Sequence, residues 1–374
     1  MKKILIIINS AKFFVSHRQP VAIEAQKKGF EVLLAFPDPN DEIKRNLEIN
    51  DLNFRVIKLT RSGTNIIKEI FSFLSILRLI LKEKPDLIHL VTIKPVLYGG
   101  LISKILKIPT LIAISGLGYM YSKEGNKLLR IVANRAYRLI LSNRYLKVIV
   151  QNKKDKLELT KFSNINESDI SLLPGSGVNL EEFKYSIPPQ QDKIFLMPCR
   201  MLWDKGIKEY VDAASKLKEK YNNVNFILSG PYDASNPGSV SLDYLHKLNE
   251  FDIVNWLGDV KDMPRLYEGS SVVVVPTFYN EGLPKVLLEA AASGRAAITT
   301  DMPGCKDAID KNVTGLIIPK QDSNALYSAM EKFIMDEWLI LSMGESARIK
   351  AENEFDIKYV VNKHISIYRD LSKL

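Results

Sequence analysis

The sequence predicts an α/β protein made of two doubly wound domains, each with a parallel sheet covered by helices. Three observations support this fold class. The chain has 374 residues, which is more than one core of ordinary size holds. Short runs that are apolar at every position alternate with amphipathic stretches, as in sheets whose strands are buried on both faces. A polar, proline-broken segment at 185–192 separates two such series.

The first series alternates strands with helices as far as residue 173. Its predicted strands are Ile4–Ile8, Glu31–Ala35, Phe54–Leu59, Leu87–Val91, Thr110–Ile114, Val148–Gln151 and Ser171–Leu173. Its predicted helices are Arg18–Lys28, Ile66–Lys82, Val96–Leu106 and Leu128–Asn143. We therefore expect a first domain at 1–187.

The second series has the same character and predicts a second domain at 188–356. Its predicted strands are Lys193–Pro198, Asn225–Ser229, Asn255–Gly258, Val272–Pro276, Ala296–Thr300 and Gly315–Ile318. Helices such as Glu209–Tyr221 and Pro284–Ser293 lie between them. Ligands of such folds bind beyond the carboxyl ends of the strands, so the strand-end loops are the candidate sites.

Composition and charge restrict the class of protein further. The chain is 46% hydrophobic and 25% charged, and its two cysteines have no metal-binding spacing, which fits a soluble enzyme of a reducing compartment. The short apolar run after Met1 is too short for a signal peptide and predicts a buried strand. Residues 1–187 carry 30 Lys and Arg against 17 Asp and Glu, whereas the remainder carries 22 against 26. Only the first domain is therefore expected to meet an anionic surface.

Basic and acidic side chains follow two strands of the second domain. Arg200 and Lys205 come after the strand that ends at Pro198, where a guanidinium fork and an ammonium can neutralise two phosphate charges. Glu281 follows the strand Val272–Pro276, and Glu289 lies eight residues later on the next helix. The alternative interpretation is a solvated pair of loop cations and two surface glutamates.

The residues between the two glutamates favour a turn followed by the N-terminus of a helix. Gly282 allows close backbone approach, Leu283 follows it, and Pro284 suits the first helical position. The free N–H groups of such a helix end favour an anion, and a diphosphate is the anion that Arg200 and Lys205 would also bind.

The Arg-x4-Lys-Gly stretch at 200–206 and the segment from Glu281 to Glu289 resemble the C-terminal half of retaining GT-B glycosyltransferases of the glycosyltransferase-4 family. The resemblance extends along nearly the whole chain. It implies two Rossmann-like domains facing across a cleft, with residues 357–374 packing back on the first domain. It also implies that Arg200 and Lys205 hold the donor diphosphate, Glu281 the transferred sugar and Glu289 the ribose.

Two further features concern the donor. Gly230 follows a strand and Val260 lies in a segment resembling the one whose backbone meets the nucleotide base, although a plain turn is an alternative for both. No Asp-x-Asp occurs in the sequence, which is the metal-holding motif of the other common glycosyltransferase fold. We therefore predict no metal and no cofactor, with a UDP-sugar as co-substrate.

Loops of the first domain are the candidate acceptor site. His17 and Arg18 follow the first strand; the alternative is a helix cap at Ser16 with His17 on the surface. Thr92 and Lys94 follow the strand that contains His89, which is more simply a core histidine. The stretch from His89 to Tyr98 resembles that of transferases that elongate polyprenyl-diphosphate-linked sugars. The glycine loop that contains Gly116 and Gly118 is weaker evidence for a binding site, because a lone G-x-G is common. The pattern does not extend to G-x-G-x-x-G, which argues against a nicotinamide dehydrogenase.

A basic, apolar block follows that loop and predicts contact with an anionic membrane through Lys127, Arg130, Arg135 and Arg138. The helix at 66–81 adds apolar residues, and neither stretch is long and apolar enough to cross a bilayer. The alternative is two core-packed helices with solvated basic faces. Nucleic acid is not an expected partner, because no base-reading motif accompanies the charge.

The expected function is transfer of a hexosamine-type sugar, N-acetylgalactosamine or N-acetylglucosamine, from a UDP donor to a polyprenyl-diphosphate-linked saccharide. The enzyme would retain the anomeric configuration and work on the cytoplasmic face of the membrane, in assembly of a surface glycan or a protein-linked glycan. Two alternatives stay open: a nucleotide-sugar epimerase of the same fold, which needs no lipid acceptor, and a non-catalytic membrane scaffold.

Overall fold

The computed structural model describes residues 1–37, 39–59, 65–116, 127–234 and 236–373, with the backbone alone at 127–130 and 132. The described chain forms two compact units. The first unit contains residues 1–176 and 358–374, and the second contains 177–357.

The first unit is built on a seven-stranded parallel sheet with strand order β3-β2-β1-β4-β5-β6-β7. Its strands are Lys3–Ile7 (β1), Glu31–Phe36 (β2), Asn53–Val56 (β3), Leu87–Val91 (β4), Thr110–Ile114 (β5), Leu146–Val150 (β6) and Ile170–Leu172 (β7). Its first helices are Ala11–His17 (α1), Gln19–Lys27 (α2), Asp41–Ile49 (α3), Ile66–Glu83 (α4), Ile93–Leu106 (α5), Lys127–Leu141 (α6) and Lys153–Phe162 (α7). The central strands are buried on both faces, as their continuous apolar runs require.

The second unit has a six-stranded parallel sheet with strand order β10-β9-β8-β11-β12-β13. Its strands are Lys193–Pro198 (β8), Val224–Ser229 (β9), Asn255–Trp256 (β10), Val272–Val275 (β11), Ala296–Thr300 (β12) and Gly315–Ile318 (β13). Its helices are Ile207–Lys220 (α8), Leu242–Glu250 (α9), Met263–Glu268 (α10), Lys285–Ala292 (α11), Pro303–Ala308 (α12), Ser323–Met335 (α13) and Glu337–Lys350 (α14). The predicted fold class, two doubly wound α/β domains, is therefore confirmed.

The last helix, Ile357–Leu371 (α15), returns the chain to the first unit. His364 and Tyr368 on its inner face are fully buried. The Tyr368 hydroxyl is hydrogen-bonded to Nδ1 of His89 on β4 at 2.7 Å, and its ring meets Phe30 edge-on. The contact explains why His89 is a core histidine.

The expected boundary after residue 187 lies too late in the chain. Val178 already pairs with the end of the second unit: its N–H donates to the carbonyl of Phe355, and its carbonyl accepts from Ile357. The polar segment at 185–192 is not a linker, because Arg295 donates to the carbonyl of Ser186. Polarity and prolines indicate a loop, but they do not show to which domain that loop is bound.

Candidate active site

The strand order of each sheet reverses at one place, which fixes where a ligand site can form. In the second unit this place lies between β8 and β11, which are neighbours in the sheet although not in sequence. The loops after these two strands therefore start at adjacent strand ends. One carries Arg200 and Lys205, and the other carries Glu281.

The two loops are held together by backbone contacts. The carbonyl of Asp204 accepts hydrogen bonds from the Phe278 N–H at 3.0 Å and from the Thr277 hydroxyl at 3.2 Å. Gly206 has φ +84, and a Cβ there would lie 2.3 Å from the carbonyl oxygen of Pro276, so a side chain at this position would separate the loops. The glycine of the Arg-x4-Lys-Gly stretch is thus required by close approach of two backbones.

The centre of the site is an ion pair between Lys205 Nζ and Glu281 Oε1. The side chains are 12% and 25% exposed, respectively. The Tyr279 ring lies 5.2 Å from the Lys205 ammonium, in cation–π geometry. Burial opposes the charge on Lys205, but Glu281 outweighs burial, so the pKa of Lys205 is raised and the ammonium stays charged. Arg200 adds a second positive charge that acts on Lys205 and Asp204. The site can therefore bind an anion through Lys205 and Arg200, and it can accept a hydrogen bond from a hydroxyl through the Glu281 carboxylate.

Glu289 faces inward in the structure. It is 6% exposed, its Oε1 lies 3.2 Å from Lys285 Nζ, and its Oε2 accepts a hydrogen bond from the Tyr267 hydroxyl at 3.0 Å. Burial raises the pKa of this carboxyl. Tyr267 is a fully buried residue of α10, and no motif in the sequence indicates that it contacts Glu289. A ligand that reaches Glu289 competes with Lys285, so its assignment to the ribose stays a prediction.

Other predicted donor residues surround these loops. A Cβ on Gly230 would lie 1.8 Å from the Cys199 carbonyl, so this glycine packs directly against the loop that carries Arg200. Its N–H donates to the Gly258 carbonyl at 2.7 Å, and the Val260 N–H donates to the same carbonyl at 3.2 Å. Gly230 and Val260 thus donate to one carbonyl, which joins the loop after β9 to the loop after β10.

The turn before α11 has the expected form, although the helix begins one residue later than predicted. Pro284 is the residue before the first helical residue, Lys285, and Leu283 is buried in the core. Gly282 lies between Glu281 and this buried leucine. The turn therefore fixes Glu281 at the edge of the core while α11 starts from the same point.

The predicted acceptor residues lie in the first unit. Thr92 and Gly116 follow the adjacent strands β4 and β5, and both have positive φ values, +72 and +110. Lys94 forms an ion pair with Glu69 of α4 at 2.6 Å, and the Tyr98 hydroxyl also donates to Glu69. The sequence did not indicate Glu69, since nothing in it shows that α4 packs beside α5. Gly118 lies outside the described residues.

His17 and Arg18 lie at the junction of α1 and α2. The interpretation of Ser16 as a helix cap is wrong: Ser10 caps α1, and the Ser16 hydroxyl donates to the Lys12 carbonyl within that helix. The His17 ring stacks on Phe13 with centroids 4.0 Å apart. Arg18 is 1% exposed, and burial lowers its pKa to about 10. An exposed acceptor contact through Arg18 is thus not what the structure shows.

Arg18 belongs to a buried polar cluster with His89, His364 and Tyr368. The two imidazole rings lie 5.6 Å apart, and His364 Nδ1 donates to the Val360 carbonyl at 2.8 Å. Burial and the Arg18 charge lower the pKa of His364 to about 3, and burial, His364 and Arg18 hold the pKa of His89 well below its usual range. Both histidines are therefore neutral in the fold.

This cluster predicts acid sensitivity. A histidine that is neutral in the fold and protonated in the unfolded chain binds its proton on unfolding, so its contribution to stability is complete above pH ~6.5 and is lost as the pH falls towards 3. We expect His364→Gln to reduce the slope of unfolding free energy against pH by about 1.4 kcal/mol per pH unit between pH 6 and 4.

The slope is measured by urea unfolding at stepped pH. His246→Gln, at an exposed position of α9, is the control and keeps the wild-type slope. An unchanged slope in His364→Gln would show that His364 is already protonated in the folded chain.

Among the described residues, no group of three or more His, Cys, Asp or Glu side chains converges as a metal site would require. Metal independence remains a prediction. None of the described helices has the length and hydropathy needed to span a membrane.

Comparison with known proteins gives matches along the chain. Residues 3–152 match the family model "Glycosyl transferase 4-like", and residues 179–350 match "Glycosyl transferases group 1". The chain is 28% identical over 368 residues to the N,N'-diacetylbacillosaminyl-diphospho-undecaprenol alpha-1,3-N-acetylgalactosaminyltransferase of Campylobacter jejuni, covering 94% of each protein. It is 24% identical over 322 residues to the UDP-Gal:alpha-D-GlcNAc-diphosphoundecaprenol alpha-1,3-galactosyltransferase of Escherichia coli, covering 82% of this chain and 81% of that protein.

Solved structures share the fold. Anabaena HepE in complex with UDP superposes over the full length of both chains with a TM-score of 0.77 at 17% identity. A glycosyltransferase from Rickettsia africae superposes with a TM-score of 0.77 at 19% identity, covering 99% of this chain and 98% of that one. Since transferase family models match both of its units, this chain belongs to the GT4-like glycosyltransferases of GT-B fold.

Proposed function

We propose that this glycosyltransferase moves a hexosamine-type sugar, N-acetylgalactosamine or N-acetylglucosamine, from a UDP donor to a polyprenyl-diphosphate-linked saccharide, with retention of configuration. The observation that carries the proposal is the Lys205–Glu281 pair at the strand reversal of the second unit, with the charge of Arg200 beside it. The names of the Campylobacter and Escherichia relatives support an acceptor built on diphospho-undecaprenol.

The geometry suits departure of a diphosphate. As the bond from the sugar to the diphosphate breaks, negative charge grows on the leaving oxygens, and Lys205 and Arg200 stabilise it in a partly buried site. Binding of the diphosphate takes the Lys205 ammonium from Glu281, which frees the Glu281 carboxylate to accept hydrogen bonds from sugar hydroxyls. The free enzyme thus keeps both charges paired until the donor arrives.

In the proposed mechanism, configuration is retained because the acceptor oxygen attacks the face from which the diphosphate leaves. The sugar carbon then passes through an oxocarbenium-like state, the acceptor hydroxyl forms the new bond, and its proton goes to the departing phosphate oxygen. No side-chain nucleophile takes part. The acceptor side is assigned to the first unit, at the strand ends that carry Thr92 and Gly116, and the enzyme works as a peripheral protein on the cytoplasmic face of the membrane.

The test is a transfer assay with UDP-N-acetylgalactosamine, UDP-N-acetylglucosamine, UDP-galactose and UDP-glucose, each with and without a polyprenyl-diphosphate disaccharide, in EDTA. We expect UDP release from one N-acetylhexosamine donor, only when the lipid is present, and a product with the anomeric configuration of the donor by NMR. Sugar interconversion without lipid would replace the proposal by an epimerase. Loss of all turnover in EDTA with rescue by Mg²⁺ would remove the metal-independent mechanism.

A further inference from the structure

Helix α4 has an unusual surface for a helix on the outside of a soluble unit. Its inner face buries Ser72, Ile76, Leu79 and Ile80. The opposite face is also apolar, at intervals of three or four residues that place side chains in one stripe along a helix: Ile66, Ile70, Leu74, Leu77 and Leu81. Ile66, Ile70 and Leu81 are 76%, 54% and 51% exposed, respectively. Leu74 and Leu77 are half-buried, and Leu77 packs against the core, so the core leaves the two ends of this stripe uncovered.

The exposed part of this stripe is concentrated in the first turns of α4. Ile67 and Phe71 lie beside it and are 66% and 55% exposed. Single exposed apolar residues are ordinary, but a contiguous group on one helix marks a surface that another phase or molecule covers. The outward face of α4 is defined as its five exposed apolar residues, Ile66, Ile67, Ile70, Phe71 and Leu81.

The charges of α4 indicate what covers this face. Both of its acidic residues point to partners in the first unit: Glu69 binds Lys94, and Glu83 is ion-paired with Lys3 at 2.8 Å and Arg55 at 2.9 Å. Its basic residues Lys68, Arg78 and Lys82 are all exposed. The outward face therefore has a positive rim along one side, and the two negative charges of the helix are paired with cations of the first unit.

We infer that the outward face of α4 is a membrane-docking element that lies in the headgroup region of an anionic bilayer. A helix of this length, about 27 Å, can lie flat in that region with its apolar stripe in the acyl boundary and its basic residues at the phosphates. Each basic residue near an anionic surface adds about fivefold to binding. A second copy of the chain would present the same positive rim, so charge complementarity favours lipid over self-association.

This inference rests on the proposed function, because a lipid-linked acceptor requires contact with the bilayer, and it deepens that function by naming the element that makes the contact. It differs from the prediction based on α6. The structure shows Arg135 and Arg138 exposed, but Arg138 donates to the Phe162 carbonyl, and the side chains of Lys127 and Arg130 lie outside the described residues. Helix α4, by contrast, contacts Lys94 through Glu69, so docking holds the Thr92 loop near the headgroups.

The experiment is sedimentation with vesicles of phosphatidylcholine, with and without phosphatidylglycerol, in the absence of substrates. We expect Ile70→Ser with Phe71→Ser to weaken binding at least tenfold, since burying either side chain is worth about that factor. The control replaces two exposed apolar residues elsewhere on the first unit, Ile49→Ser with Leu157→Ser, and keeps wild-type binding. Lys68→Glu with Lys82→Glu should remove the preference for phosphatidylglycerol.

Further measurements separate the outcomes. The Ile70/Phe71 variant is expected to keep its rate on a short-chain, water-soluble acceptor, so loss of vesicle binding with retained transfer supports docking through α4. Unchanged vesicle binding in this variant overturns the inference and leaves the proposed transfer reaction standing. Loss of binding only on Arg135→Glu with Arg138→Glu assigns docking to α6 instead. A wild-type dimer that dissociates in the Ile70/Phe71 variant, without vesicle binding, assigns the face to a second copy.

Discussion

Glu281→Ala and Lys205→Ala are each expected to lower turnover at least about 100-fold, which corresponds to about 2.7 kcal/mol of activation free energy. Loss of Lys205 removes a cation that stabilises the departing diphosphate, and loss of Glu281 removes the carboxylate proposed to hold the transferred sugar. Because the two side chains form one ion pair, the double variant should lose less than the product of the two effects. Initial rates of UDP release at saturating donor measure each loss.

Surface residues of the second unit provide matched controls. Glu345 on α14 and Lys208 on α8 are exposed, and their alanine variants should keep the wild-type rate. Glu281→Gln keeps the shape of the side chain without its charge, so a loss as large as that of Glu281→Ala would show that charge matters most. Near-normal turnover in both Glu281→Ala and Lys205→Ala would place the chemistry outside this ion pair.

The largest expected effect on stability comes from Arg295→Ala, which should lower the free energy of unfolding by about 3–5 kcal/mol. Arg295 is fully buried and donates to backbone carbonyls of Ser186, Tyr267, Glu268 and Ser293, at 2.5–3.1 Å. Removal of the guanidinium leaves these buried carbonyls without a donor, and each unsatisfied group is costly. Urea unfolding followed by circular dichroism measures the loss.

Arginine at this position acts through the shape of its guanidinium as well as its charge. Arg295→Lys should recover only part of the stability, because an ammonium cannot reach several carbonyls in fixed directions. Arg265→Ala, which removes an exposed arginine from α10, is the control and should change stability by less than about 0.5 kcal/mol. A loss below about 1 kcal/mol in Arg295→Ala would show that water replaces the guanidinium in the core.

The sequence predicted the two sheets because their strands are buried on both faces and so are apolar at every position. It predicted the Arg200, Lys205 and Glu281 loops because these residues follow strand ends, and strand ends meet at one edge of a parallel sheet. It missed α1, which starts at the Ser10 cap and carries too few buried positions to show a clear period.

Partners that are distant in sequence could not be predicted. Glu69 neutralises Lys94, and Tyr267 binds Glu289, but each contact depends on which helices become neighbours after folding. The predicted domain boundary was wrong for the same reason. The hydrogen bond from Arg295 to the Ser186 carbonyl joins residues more than a hundred positions apart in sequence. A single sequence shows which residues can bind, whereas the fold decides what they bind.

Because α15 belongs to the first unit, the two units are completed in a particular order as the chain is synthesised. Domains generally fold as they leave the ribosome, the earlier ones first. The second unit is one contiguous segment, residues 177–357. The first unit also includes residues 358–374, whose Tyr368 binds His89, so it is complete only after the last helix has been synthesised. The unit that begins to emerge first is therefore completed last. A product truncated before residue 358 would lose the integrity of the first unit while the second still folds.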